Sequence, residues 1–182
     1  YLLAISTFLC SFTPCGKSYS LDRYLEIKKA IKHKFNIPAE TGNLFGLRLL
    51  SLQLAAVYFW TAFDKSTITW ITGQKMEVNF MFQYTGSSYP DFPGFHLMMV
   101  ILALAVLILE YALSVGLFFK ITRKILIIPG IILHCIIYIT LPVKTFTATV
   151  ILLYLSFFDS DEVHKFIDKI SGFIESGKNQ RL

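Results

Sequence analysis

Three side chains of this sequence stand where apolar surroundings make them chemically conspicuous: Lys65, Glu110 and His134. Glu110 lies near the middle of the apolar run Leu97 to Phe119, and His134 near the middle of Ile125 to Leu141. An ionisable group at the centre of a hydrocarbon-spanning helix costs at least ~2.5–3.5 kcal/mol on insertion scales, so its presence asks for a partner or a wet cavity. The expectation is that Glu110 and His134 face the interior of a helix bundle. Lys65, beside Asp64, follows the run Leu44 to Phe63 and is placed just past the outer end of that span. It reads either as an interfacial lysine that ends a helix or as a general base. The second role needs enough desolvation to free the amine of its proton, and the adjacent Asp64 opposes this. Arg48, one turn into the same run, reads as snorkelling to the opposite interface. No G-x-G-x-x-G, Walker A, H-E-x-x-H, C-x-x-C or G-x-S-x-G occurs, and His33, His96, His134 and His164 lack metal-ligand spacing. ATPase, zinc-protease and simple hydrolase chemistries therefore lose their usual support, and no metal site is expected.

The elements that must position these residues follow from composition. The chain has 182 residues, 54% hydrophobic and only 16% charged, with a mean hydropathy of +0.58. Average soluble domains are richer in charge and poorer in apolar residues, and a soluble domain of this length could not bury so much apolar surface. Disorder, a collagen repeat and a disulfide scaffold are excluded by the same numbers, with ten glycines and three cysteines. An all-α, polytopic membrane bundle remains.

Apolar runs at Leu44–Phe63, Leu97–Phe119, Ile125–Leu141 and Val143–Phe158 predict four spans, the last two as a hairpin turning at Pro142 and Lys144. A fifth run, Leu2–Phe12, is about half a bilayer long as helix. It lacks a basic n-region and an A-x-A site, and so reads as a truncated first span rather than a signal peptide. If each run crosses once, thirteen basic residues fall on one side and three on the other, which puts the basic loops and the tail in the cytoplasm. The net charge of +5 is thereby explained without a nucleic-acid surface.

Two further segments read as amphipathic helices. Over 21–35, Leu21, Tyr24, Leu25, Ile31 and Phe35 share a face opposite Arg23, Lys29 and Lys34, a pattern suited to anionic lipid. In the tail, Val163, Phe166, Ile167, Ile170, Phe173 and Ile174 repeat at helical spacing after an acidic cap at Asp159–Glu162, with Gly177 as a stop. Between the spans, Met76, Val78, Phe80 and Phe82 alternate with polar residues, leaving strand and interfacial lip both open.

Three blocks, in this order, carry a resemblance. The first is Ser18–Asp22 after the turn Pro14–Gly16; the second is Val57-Tyr58-Phe59, then Lys65, then Trp70 to Gly73. The third is Leu109-Glu110, Gly116–Phe119, Thr122-Arg123 and Leu133-His134-Cys135. Together they resemble the horizontally transferred transmembrane (HTTM) domain, best known from the vitamin K-dependent gamma-glutamyl carboxylases. The resemblance divides the chain into an HTTM-like domain over 1–158 and a tail helix over 159–182. It implies that Lys65 is the base that deprotonates a reduced quinone such as vitamin K hydroquinone, with His134 lining the quinone pocket. Glu110 would orient the helices or the histidine, and Tyr58, Trp70 and Gly73 would shape the pocket mouth. Asp22 and Arg123 belong to the matching blocks. Lys17 stands where the carboxylases carry a histidine, and Asp64 where they carry a second lysine. No counterpart of their large β-rich substrate-binding region is expected after Phe158, so carboxylation of a peptide by this chain alone is not expected. The function expected is that of a membrane enzyme, carboxylase-like if catalytic, acting on a quinone or lipid-borne substrate. The alternative is a non-catalytic assembly or maturation partner, or a small-solute permease with a polar intramembrane cavity.

Overall fold

The computed structural model describes residues 1–13, 20–37, 42–86, 88–141, 143–159 and 161–169. The Pro14–Gly16 turn, Lys17 to Tyr19, Pro142, Ser160 and the tail beyond Lys169 lie outside the described residues. Among the described residues the chain is helical, with no strand. Its elements are α1 (Leu2–Cys10), α2 (Leu21–His33), α3 (Phe45–Lys65), α4 (Ile68–Ile71), α5 (Gln74–Phe80), a π-turn (Met81–Thr85), α6 (Phe95–Gly116), α7 (Lys120–Thr140) and α8 (Lys144–Leu153). A 3-10 turn (Tyr154–Phe157) follows α8, and 161–169 is again helical.

Helices α3, α6 and α7, of 21, 22 and 21 residues, are long and apolar enough to cross a membrane. Their helical form is what hydrocarbon demands, since every backbone polar group must be satisfied within the segment. The fourth predicted span is shorter. The apolar stretch Lys144–Phe157 covers about 21 Å, below the length a bilayer core requires. The alternating residues 76–82 resolve as α5 and the π-turn. Val78 and Phe82 point outward, while Phe80 packs on Phe95, ring centroids 5.4 Å apart.

The chain forms two compact units, Tyr1–Ser51 with Ala148–Leu182, and Leu52–Thr147; the boundaries fall within α3 and α8. In the first unit, Leu50, Val150, Leu153, Tyr154 and Phe157 are buried. The Ser51 hydroxyl lies 2.9 Å from the Ser156 carbonyl, tying α3 to the 3-10 turn. Gly46 lets α3 approach the chain after α1, where an added Cβ would fall 2.6 Å from the Phe12 carbonyl carbon. Helix α2 begins at Ser20, whose side chain accepts from the Arg23 amide, and ends with Lys34 in the left-handed conformation.

In the second unit, α6 and α7 pack as a hairpin over buried Leu54, Ala62, Met99, Ala103, Leu113 and Leu117. The small residues among these let helices come close where apolar contact alone gives no advantage over lipid. Gly116 has the same role: a Cβ there would collide with Leu126, and Thr122 donates to the Gly116 carbonyl at 2.6 Å. Ile121, Ile125, Ile128, Ile132 and Ile139 form an exposed apolar stripe down α7, the surface a lipid-facing helix presents. Pro129 sits inside α7 and deprives the carbonyl one turn earlier of its helical donor.

Candidate functional site

Helix α3 carries Tyr58, Thr61 and Lys65 at i, i+3 and i+7, which puts all three on one stripe. The stripe faces two polar residues from the other spans. Lys65 Nζ donates to Glu110 Oε1 at 2.6 Å and to Oε2 at 2.8 Å. The Thr61 hydroxyl, between Tyr58 and Lys65 on the stripe, donates to the Tyr58 carbonyl at 3.1 Å. Tyr58 Oη and His134 Nε2 form a buried hydrogen bond of 2.7 Å, and the His134 ring also packs beside Phe146. Glu110 and His134 are both buried, as expected, but each finds a side-chain partner on α3.

Lys65 is the last residue of α3. Glu110 lies about 22 Å along α6 from Phe95 and only ~9 Å from Gly116, so its partner Lys65 meets α6 far from the end where residues 66–94 lead into it. The intervening segment does not stand clear of the bundle. It packs back along α6: Trp70 Nε1 donates to the Ala103 carbonyl at 3.0 Å, and Gly73 abuts Val100. At Gly73 an added Cβ would sit 2.8 Å from the Val100 amide nitrogen, and φ is +78°. Only glycine joins these two conditions without strain. Irregular backbone beside a span is stable when its polar groups are satisfied, and local bonds such as Thr72 N–H to the Ile68 carbonyl and Gly73 N–H to the Trp70 carbonyl, both 2.9 Å, supply this here. A lysine ammonium in that position gains a bidentate carboxylate.

Lys65 also lies 5.4 Å from the centre of the Trp70 ring, within range of a favourable cation–π contact. Both residues line a cavity of about 370 Å³ with Thr61, Asp64, Thr67, Thr69 and Lys75. Glu110 is not part of that lining; it sits behind Lys65, only 7% exposed against 23% for the lysine. The wall of the cavity is thus a cation backed by a buried anion, beside an aromatic face fixed by its own indole hydrogen bond. Such a wall can receive a proton from a ligand and hand one to the residue behind it.

The other expected site residues separate. Tyr58 joins His134 deeper in the unit; Gly73 shapes the backbone between α4 and α5. Arg123 is buried near the start of α7, three turns before His134. Asp22 is exposed in the first turn of α2 and belongs to the first unit, where it matches the helix dipole. The residues missed in the sequence are Thr61, Lys75 and the threonines of the cavity. The signal for Thr61 was present as the Tyr58–Thr61–Lys65 stripe. A second cluster, also missed, joins Glu77 of α5 to His96 at the start of α6, with Tyr89 nearby. No candidate metal cluster occurs among the described residues.

No curated protein and no solved structure matches the chain. The HTTM domain family matches residues 1–161, which includes all the spans, both polar pairs and the cavity wall. The chain is accordingly a membrane protein that belongs to the HTTM domain family.

Proposed function

We propose that this protein is a membrane enzyme of the carboxylase-like HTTM group, with Lys65 as the acid–base residue of a quinone or lipid-borne substrate. The observation that carries this reading is the bidentate Lys65–Glu110 contact at the wall of the cavity. A lysine that is to accept a proton must first shed one, and Glu110 offers an acceptor 2.6 Å away. Lys65 then faces the cavity as a free amine and takes a proton from an acidic hydroxyl of the substrate; the substrate oxyanion balances the ammonium that results, while Glu110 holds the first proton. A volume of about 370 Å³ is in the range of small-molecule sites, and the Trp70 ring offers a planar headgroup a stacking face. A reduced quinone would supply the acidic hydroxyl. His134 and Tyr58 hold a second, buried polar contact that supports the inner wall of the unit.

The test is quinol-dependent oxygen uptake by the full chain in lipid nanodiscs carrying a reduced quinone. Wild type is expected to exceed empty discs, and Lys65→Ala to lose ~100-fold or more of that excess while its circular dichroism and insertion survive. Uptake that is the same in wild type, Lys65→Ala and empty discs removes the enzyme reading. The buried Tyr58–His134 contact favours a second reading, a proton-linked small-solute permease. In that case Glu110→Gln alters flux into proteoliposomes and Lys65→Ala changes little.

A further inference from the structure

Helix α2 is built the wrong way round for water. The residues it turns into the protein are Arg23, 7% exposed, and Ala30, with Glu26 half-buried and paired to Arg23 at 2.9 Å. The residues it turns outward are apolar: Leu21 (71% exposed), Tyr24, Leu25 and Ile31 (65%). On a helical wheel these four occupy one arc, and Lys28 and Lys32 fall inside that arc rather than opposite it. The C-terminal turn extends the same face. Lys34, at φ 56°, folds the chain back so that the Phe35 amide donates to the Ala30 carbonyl at 2.9 Å. Phe35 is thereby stacked on His33, centroids 5.9 Å apart, and left largely exposed.

A water-facing surface selects the opposite arrangement, with apolar residues inward. A neighbouring apolar core would exclude Lys28 and Lys32, which sit among the leucines with their ammonium groups exposed. A lipid headgroup layer accommodates both: the apolar side chains enter the acyl boundary while the lysine stems lie along it and their charged ends reach back to phosphate. The charge balance selects the lipid. Lys28 and Lys32 are exposed within the arc and Lys29 at its edge, whereas Glu26 is engaged by Arg23 and Asp22 is the remaining acid of the helix. We propose that α2 is an interfacial helix that docks on anionic phospholipid headgroups, its Leu21–Tyr24–Leu25–Ile31 face immersed and its lysines bound to phosphate. This proposal is independent of any reaction at Lys65.

The experiment uses the full chain with its native cysteines replaced by serine and a fluorophore on Tyr24→Cys, reconstituted in nanodiscs of zwitterionic lipid with and without anionic phospholipid. Quenching by lipid-borne nitroxide is compared with quenching by aqueous iodide. The expected result is a nitroxide-to-iodide ratio at least threefold higher in anionic discs. That excess falls away in the doubly substituted Lys28→Gln, Lys32→Gln protein, and in salt near 1 M, where the screening length is about 3 Å. Both lysines are exposed, so the double variant retains the fold, and helicity checks this. A ratio that ignores lipid charge overturns the proposal. So does protection from iodide that appears in native membranes but not in discs of pure lipid, because the partner would then be a protein.

Discussion

Two acid–base contacts fasten helices to α6, and their surroundings separate their roles. Lys65–Glu110 ties the end of α3 to the interior of α6; Glu77–His96 ties α5 to its first turn, with a His96 Nδ1 to Glu77 Oε1 distance of 2.9 Å. The distances are alike and both carboxylates are largely buried, Glu110 at 7% and Glu77 at 12% exposed, but the basic partners differ: Lys65 is 23% exposed and His96 59%. Water screens and can replace the outer pair, so it acts as a clasp whose loss the surroundings absorb. The inner pair is shielded more fully, because Glu110 left alone is a charge buried behind the cavity wall. The lesson is that equal geometry carries unequal stakes, and the stake tracks the dielectric around the pair.

The sharpest way to break that contrast is Glu110→Ala. Stranding Lys65 is expected to cost ~3–5 kcal/mol of stability, read as the shift of the unfolding midpoint on titrating the detergent-solubilised protein with SDS. The double variant Lys65→Met, Glu110→Leu is expected to recover most of that loss, since two apolar residues leave no charge unpaired. A single variant no worse than the double would dissolve the distinction. Next in size is Gly73→Ala. Its backbone sits at φ +78° and its new methyl meets the Val100 backbone, so a destabilisation of about 2–3 kcal/mol is expected, together with a disturbed Trp70 emission spectrum. Trp70→Phe keeps a ring over Lys65 but removes the donor to the Ala103 carbonyl; about 1–2 kcal/mol is expected from the same titration. The smallest effect belongs to the outer clasp. His96→Ala is expected to cost under ~1 kcal/mol, and a value approaching that of Glu110→Ala would show that the fold depends on the outer pair as heavily as on the inner one.

The spans were legible because hydrocarbon enforces a local rule. Runs of apolar residues must close their own hydrogen bonds, and α3, α6 and α7 end within a few residues of the limits that Leu44–Phe63, Leu97–Phe119 and Ile125–Leu141 predict. The need of Glu110 and His134 for shelter was legible on the same physical ground. Their partners were not. The Lys65–Glu110 contact joins residues 45 apart, and Tyr58–His134 joins residues 76 apart; such pairing depends on how helices cross, which periodicity within a single helix does not encode. Residues 66–94 were least legible of all. Their short helices rest on tertiary contacts, the Trp70 indole on Ala103 and Gly73 against Val100, so neither the strand-like alternation at 76–82 nor counting along the chain could show that the segment returns along α6.

Pro129 has a mechanical consequence for the polar interior. A helix missing one rung of its ladder flexes most easily at that point, and Pro129 lies between the Thr122 anchor of α7 and His134. The break in the ladder therefore lies between the clamped hairpin end and the aromatic–imidazole bridge, which rests on the far half of the helix.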